Sequence, residues 1–285
     1  SMQFSMVPMN LAHRGDTTAY MVTGNFAGKA QIEAARWGNA VTVASSKDKN
    51  FTYVPKIKAD DIPKDARYLH ICGNNTIFGL TFNSLPEHGS TPLVADWSSA
   101  LLGKEINVGD YDLIYAGAQK NLGPAGMTVV IVKKSIVLDP VDDVVPIIMR
   151  YKPQIENGSM YNTPPCWSIY MSGLVFEWVE KEGGVPEMER RNKIKAGMLY
   201  DYIDGSEFYN NPVAKEDRSI TNVVFTVPGK ELTDKFIAEA KDSNIINIKG
   251  HKLVGGLRAS IYNGVSIEGT EYLLDFMKKF EKENK

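Results

Sequence analysis

Short apolar, often β-branched runs alternate with helix-forming stretches along most of this 285-residue chain, and no other feature restricts its fold as tightly. Strand-like runs at 19–23, 41–45, 68–72, 92–96, 113–116 and 128–132 surround an alanine-rich helix over 27–37 that stops at Gly38. This alternation predicts an α/β fold with a largely parallel sheet covered by helices. In such sheets ligands sit beyond the carboxyl ends of the strands. Four of those ends carry small or polar residues: Gly24-Asn25-Phe26, Gly73-Asn74-Asn75-Thr76, Asp96-Trp97-Ser98-Ser99 and Gln119-Lys120. They are expected to converge on one crevice. After a loop-rich stretch over 139–165, a helix is expected over 169–181, a break at Gly183-Gly184 and a second helix over 186–203. Strands at 219–227, 245–248 and 256–260 with helices at 230–242 and 270–281 complete a smaller α/β unit. The expected division is therefore a large domain over 1–182 and a small C-terminal domain over 183–285.

Charge and composition narrow the ligand class. A net charge of -2 and the lack of any isolated lysine/arginine block remove the electrostatic footprint of a nucleic-acid binder or membrane-surface protein, leaving small molecules as the expected ligands. No apolar stretch approaches bilayer length, and Ser1-Met2-Gln3-Phe4 has neither the basic nor the apolar region of a signal peptide, so a cytoplasmic location is expected. Cys72 and Cys166, without metal-type spacing, read as reduced thiols, and no metal site is expected.

One lysine stands out. The apolar run at 113–116 delivers Lys120 into a turn of small residues followed by Gly123-Pro124-Ala125-Gly126, after which another strand begins. Small flanking residues let a flat ligand approach the backbone, and a desolvated amine loses basicity until it acts as nucleophile or base near neutral pH. The alternative is a strand-end lysine reaching solvent. Asp96 closes a buried run beside two hydroxyls; it suits a pyridinium nitrogen, or it caps the following segment. Gly73-Asn74-Asn75-Thr76 offers donors for a phenolic oxygen or phosphate, or is a turn. Phe26 can lie flat on an aromatic ring, or belong to the core. Tyr161-Asn162-Thr163-Pro164-Pro165 presents donors at a loop tip, or is a rigid connector. His251, Lys252 and Arg258 place three potential cations around a Gly255-Gly256 pair, which suits an anionic substrate or a solvated basic loop. His13, His70 and His88 have no motif around them and receive no role.

Three motifs carry a resemblance across the whole chain: Tyr-Ala-Gly-Ala-Gln-Lys-Asn-Leu-Gly-Pro-Ala-Gly at 115–126, Tyr-Asn-Thr-Pro-Pro at 161–165, and Lys-Gly-His-Lys-x-Val-Gly-Gly-x-Arg-Ala-Ser-x-Tyr-Asn at 249–263. In that order they closely resemble the phosphoserine aminotransferase family. The resemblance implies fold type I, a homodimer, pyridoxal 5'-phosphate, and amino transfer between glutamate and 3-phosphohydroxypyruvate in serine biosynthesis. In bacteria the family also serves pyridoxine biosynthesis. By resemblance, Lys120 would hold the cofactor covalently and move the proton at Cα, Asp96 would pair with the ring nitrogen, and Phe26 would stack on the ring. Ser1, Thr76 and Gln119 would bond the cofactor, and Asn162 and Thr163 would reach the partner subunit's cofactor phosphate. Arg258 would bind the α-carboxylate, with His251 and Lys252 at the distal anion. The family usually has Trp where this chain has Phe26 and Arg where it has Lys252, which gives a smaller stacking face and a point charge in place of a bidentate fork. It also has a Gly-Gly-Ala and a His-Arg pair upstream of the position matching Ser1; a chain without them is expected to bind cofactor weakly and turn over little.

Overall fold

The computed structural model describes residues 1–139 and 141–285. In chain order, α1 (Met2–Leu11), β1 (Thr17–Val22), α2 (Asn25–Ala34), β2 (Asn39–Ser45) and β3 (Leu69–Cys72) lead into a short hairpin of β4 (Asn74–Asn75) and β5 (Leu80–Thr81). Then come β6 (Leu93–Asp96), β7 (Leu113–Gly117), β8 (Thr128–Val132), α3 (Tyr151–Glu156), α4 (Cys166–Lys181) and α5 (Gly184–Gly205). The chain ends with β9 (Asn222–Phe225), α6 (Gly229–Asp242), β10 (Leu257–Ser260) and α7 (Ile267–Asn284).

Six strands form one sheet in the order β2-β1-β3-β6-β7-β8, parallel throughout except for the antiparallel edge strand β8. Period-2 alternation divides the strand residues between the two faces. Ala19, Met21, Leu69, Ile71, Leu93, Ala95, Ile114 and Ala116 enter one core with Trp97, Leu101 and Leu122. Tyr20, Tyr68, Val94, Leu113 and Tyr115 enter the other, against Phe4, Val7 and Leu11 of α1 and Ala30 and Ala34 of α2. The alternation read in the sequence therefore holds for each of the six strands, with ends shifted by at most two residues.

A separate cluster is built on α5, α6, α7 and the antiparallel pair β9·β10, with Phe225, Phe236, Met277 and Phe280 at its centre. The strand expected over 245–248 is not formed. Asn244 and Asn247 both take left-handed backbone conformations (φ 59° each), which breaks an extended run, and the segment meets β10 only through a single bridge from Lys249 to Leu257. Helices α1 and α3 were not expected; α3 lies within the stretch read as loop, of which residue 140 falls outside the described residues. The helix break at Gly183-Gly184 is present, both glycines having positive φ (109° and 77°).

Candidate active site

Parallel register brings three strand ends side by side. Cys72 of β3 pairs with Asp96 of β6, and Asp96 with Tyr115 of β7. Beyond them lies a cleft to which Ser1, Phe26, Thr76, Asp96, Gln119 and Lys120 all contribute. The convergence expected from the sequence is thus realised for all four strand ends.

Lys120 occupies the connection between β7 and the antiparallel β8, where the amides of Leu122 and Gly123 both donate to the carbonyl of Ala118. The small residues around it serve two purposes. Gly117 lines the cleft, whereas Gly123 and Gly126 face α4: a Cβ on either would run into the Ser172 or Ser168 hydroxyl. The close approach permitted there is that of a helix, not of a ligand.

The Lys120 amine donates to Thr76 Oγ1 at 2.6 Å and lies 5.8 Å from the Phe26 ring centroid and 6.0 Å from that of Tyr262. Burial pulls its pKa down to about 8, against the opposing pull of Asp96, while Arg258 lowers it further. Asp96 is 7% exposed. Burial raises its pKa, while the Ser98 amide, donating to Oδ1 at 2.9 Å, favours the anion. Behind it His70 Nε2 lies 2.9 Å from the Tyr115 hydroxyl, and burial holds His70 neutral by dropping its pKa to about 3. Burial also pushes the Cys72 thiol well up, so this cysteine is not a thiolate nucleophile.

Arg258, on β10, reaches across from the second cluster: Nη1 donates to the Thr76 carbonyl at 3.4 Å. Its Nε is buried and has no hydrogen-bond partner among the described residues. A guanidinium with an unused donor beside a buried carboxylate, a low-pKa amine and an aromatic ring is the donor set that a planar, anionic cofactor and an α-carboxylate would satisfy. The residues present fit pyridoxal phosphate. Ser1 precedes α1 and puts the amino end of that helix at the cleft, an arrangement that favours a phosphate.

The remaining expected residues lie elsewhere in the described structure. His251 and Lys252 do not line the Lys120 cleft; burial, then Arg258, Lys252 and Lys29, hold the His251 pKa below its ordinary value. Asn162 and Thr163 are exposed, and Asn162 borders a neighbouring groove with Met2, Met6 and Gln154. Among the wall residues, Gln3, Phe4, Cys72, Tyr115 and Thr128 carry no expectation of a place in the cleft from the sequence. Aligning the last residues of successive parallel strands finds Cys72 next to Asp96, whereas Tyr115 lies two residues before the end of β7 and meets Asp96 only through the register of the pair. Tyr262, within the third motif, carries no signal in the sequence of its place 6.0 Å from the Lys120 amine.

Comparison with known proteins agrees with this geometry. Residues 1–273 match the family model described as aminotransferase class-V. The chain is 47% identical over 288 residues to a phosphoserine aminotransferase of Desulfatibacillum aliphaticivorans, covering 100% of this chain and 78% of that protein. It is 48% identical over 285 residues to one from Geobacillus kaustophilus, covering 99% and 78%. Among solved structures, phosphoserine aminotransferase from Bacillus circulans subsp. alkalophilus superposes with a TM-score of 0.95 at 40% identity, covering 100% of this chain and 79% of that one. The pyridoxal-phosphate-bound enzyme of Trichomonas vaginalis gives 0.91 at 34% identity, covering 97% and 79%. With a strand-end lysine and a buried aspartate in one cleft and an arginine from the second cluster bonded to the Thr76 carbonyl, the chain belongs to the aminotransferase class-V family and, within it, to the phosphoserine aminotransferases.

Proposed function

We propose that the Lys120 cleft moves an amino group between L-glutamate and 3-phosphohydroxypyruvate, forming O-phospho-L-serine and 2-oxoglutarate with pyridoxal phosphate as cofactor. The observation that carries this reading is the Lys120 amine, with a pKa near 8, 2.6 Å from Thr76 Oγ1 in a cleft that also holds Asp96, while Arg258 reaches the Thr76 carbonyl. Pyridoxal phosphate, when bound, supplies an electrophilic carbon for the amino group and a ring that accepts the electron pair left at Cα.

Each residue has a distinct part. Lys120 Nζ would hold the cofactor and, as a free amine, would move the proton at Cα. The Asp96 carboxylate would keep the ring nitrogen protonated, and Phe26, in the same cleft, would pack on the ring. Ser1, Thr76 and Gln119, which line the cleft from three chain segments, would bond the cofactor, Ser1 and Gln119 at its phosphate. Arg258 grips the α-carboxylate through two donors, and His251 and Lys252 supply positive charge for the distal anion.

The reading includes a homodimer in which Asn162 and Thr163 complete the partner's cofactor site. The outer face of α4 supports it: Trp167 is 69% exposed, Tyr170 62% and Leu174 41%, more contiguous apolar surface than a monomer usually leaves in water. It also includes a division into a large domain over 1–182 and a small one over 183–285, supported by the separate apolar clusters. A cytoplasmic location is supported by the two unpaired cysteines. No helix is long and apolar enough to cross a membrane among the described residues.

Protein loaded with pyridoxal phosphate and supplied with both substrates should form phosphoserine and 2-oxoglutarate one for one, read by chromatography; no phosphoserine would refute the reading. Replacing Arg258 with alanine should raise the glutamate KM by at least about 30-fold, or about 2 kcal/mol, because the carboxylate loses a desolvated charged partner. Steady-state kinetics with varied glutamate provides the check, and kcat should fall far less than kcat/KM.

A further inference from the structure

We propose that Lys195, which lies outside the cleft, is a positioning residue for Lys120, acting through the segment 261–265 that it holds. Lys195 stands on α5 and is only 1% exposed. Its ammonium donates to the carbonyls of Ile261 and Tyr262 at 2.9 Å each and of Val265 at 2.8 Å. All three N–H donors of the amine are thereby used, and no acidic side chain forms an ion pair with it among the described residues. A cation buried without a counter-ion is costly, so the carbonyl cradle that offsets the cost has a specific shape to keep.

That shape is transmitted to Lys120 by two neighbours in sequence. One turn before Lys195, the fully buried Asn192 donates through Nδ2 to the Gly103 carbonyl and to Asn263 Oδ1, both at 2.9 Å. Asn263 in turn donates through its backbone N–H to Asn121 Oδ1 at 3.1 Å and through Nδ2 to the Leu102 carbonyl at 2.9 Å. Asn121 is the residue after Lys120. Tyr262, whose carbonyl Lys195 holds, has its ring centroid 6.0 Å from the Lys120 amine and its hydroxyl accepting from Asn222 Nδ2 at 3.0 Å. The same five-residue segment therefore covers the amine with the Tyr262 side chain and ties down the turn that carries it with the Asn263 backbone N–H, which the Asn263 side chain holds in place through the Leu102 carbonyl and Asn192. Of the groups facing Lys120, Asp96, Cys72 and Arg258 sit on other strands, so the segment acts by excluding water and fixing the amine, not by adding charge.

This inference rests on the reading of Lys120 as the reacting amine, but its test does not need the cofactor. In the full chain without cofactor, the pH dependence of Lys120 acylation by acetic anhydride, mapped by mass spectrometry, reports the amine's pKa. Lys195→Met and Asn263→Ala are each expected to raise it by about one unit or more, as water reaches the amine and its pKa moves toward that of a free lysine. In the loaded enzyme kcat is expected to fall by about tenfold or more at temperatures where both variants remain folded. A folded variant with a lower melting temperature but unchanged Lys120 titration and kcat would overturn the proposal, because Lys195 would then be structural only. Should Lys195→Met fail to fold, Asn263→Ala decides alone by the same criterion. Wild-type protein that attaches no cofactor would sink the functional reading, while the acylation titration would still decide the positioning role.

Discussion

Replacement of Lys120 by alanine is expected to lower kcat by about 10⁴-fold or more and to abolish the visible absorption that reports covalent attachment of the cofactor. The size of the effect follows from the two duties proposed for one amine, holding the cofactor and moving the proton at Cα, a step for which no other group stands ready. Thr76 offers only a hydroxyl, burial and neighbouring Asp96 push the Cys72 thiol well up, and Arg258 does not deprotonate. The fold should tolerate the change. Lys120 is partly exposed, and the turn around it is closed by backbone bonds from Leu122 and Gly123 to Ala118, so stability should move by no more than about 0.5 kcal/mol. Lys120→Arg separates charge from reactivity: the cation is retained, the free amine is lost, and activity should fall as far. The check is a coupled assay beside an absorption spectrum and a thermal melt; a Lys120→Ala variant with more than a few per cent of wild-type turnover would remove the lysine from its role.

Asp96→Asn is expected to reduce kcat by about 10²–10³-fold while changing the glutamate KM little. Asparagine keeps the shape and still accepts from the Ser98 amide 2.9 Å away, so the strand end should stay in place. What disappears is the negative charge. Burial alone raises the Asp96 pKa, and the Ser98 contacts and the Lys120 ammonium act against that rise. A protonated ring nitrogen would add a second cation beside it and hold the carboxylate ionised across the neutral range. Without the anion the ring accepts electrons less readily, and removal of the Cα proton becomes the slow step. Single-turnover rates with glutamate and α-deuterated glutamate measure this: the isotope effect should approach its full value in the variant, with the α-carboxylate still held by Arg258. Unchanged kcat would show that the ring nitrogen has no need of this carboxylate.

The sheet and its crevice were legible because their cause is local. Alternating apolar residues define a strand wherever it lies, and the strand ends at Thr76, Asp96 and Lys120 meet because parallel strands in register end together. Two kinds of information were not local. The left-handed conformations of Asn244 and Asn247 interrupt a run whose β-branched residues read as a strand, since asparagine's tolerance of positive φ is a permission and not a signal. The partners of Gly123 and Gly126 were equally hidden: small residues announce a close approach without naming what approaches, and here it is Ser172 and Ser168 of α4. Lys195 is the clearest case. A lysine among Arg190, Arg191 and Lys193 on a polar helix reads as one more solvated cation, and only the tertiary fold buries it under three carbonyls.

The most direct test of Lys120 as the cofactor-holding amine is chemical trapping. Protein loaded with pyridoxal phosphate, reduced with borohydride and digested, should carry the phosphopyridoxyl mass on the peptide containing Lys120 and on no other lysine. The mass on another lysine, Lys195 included, or on none, would contradict the assignment.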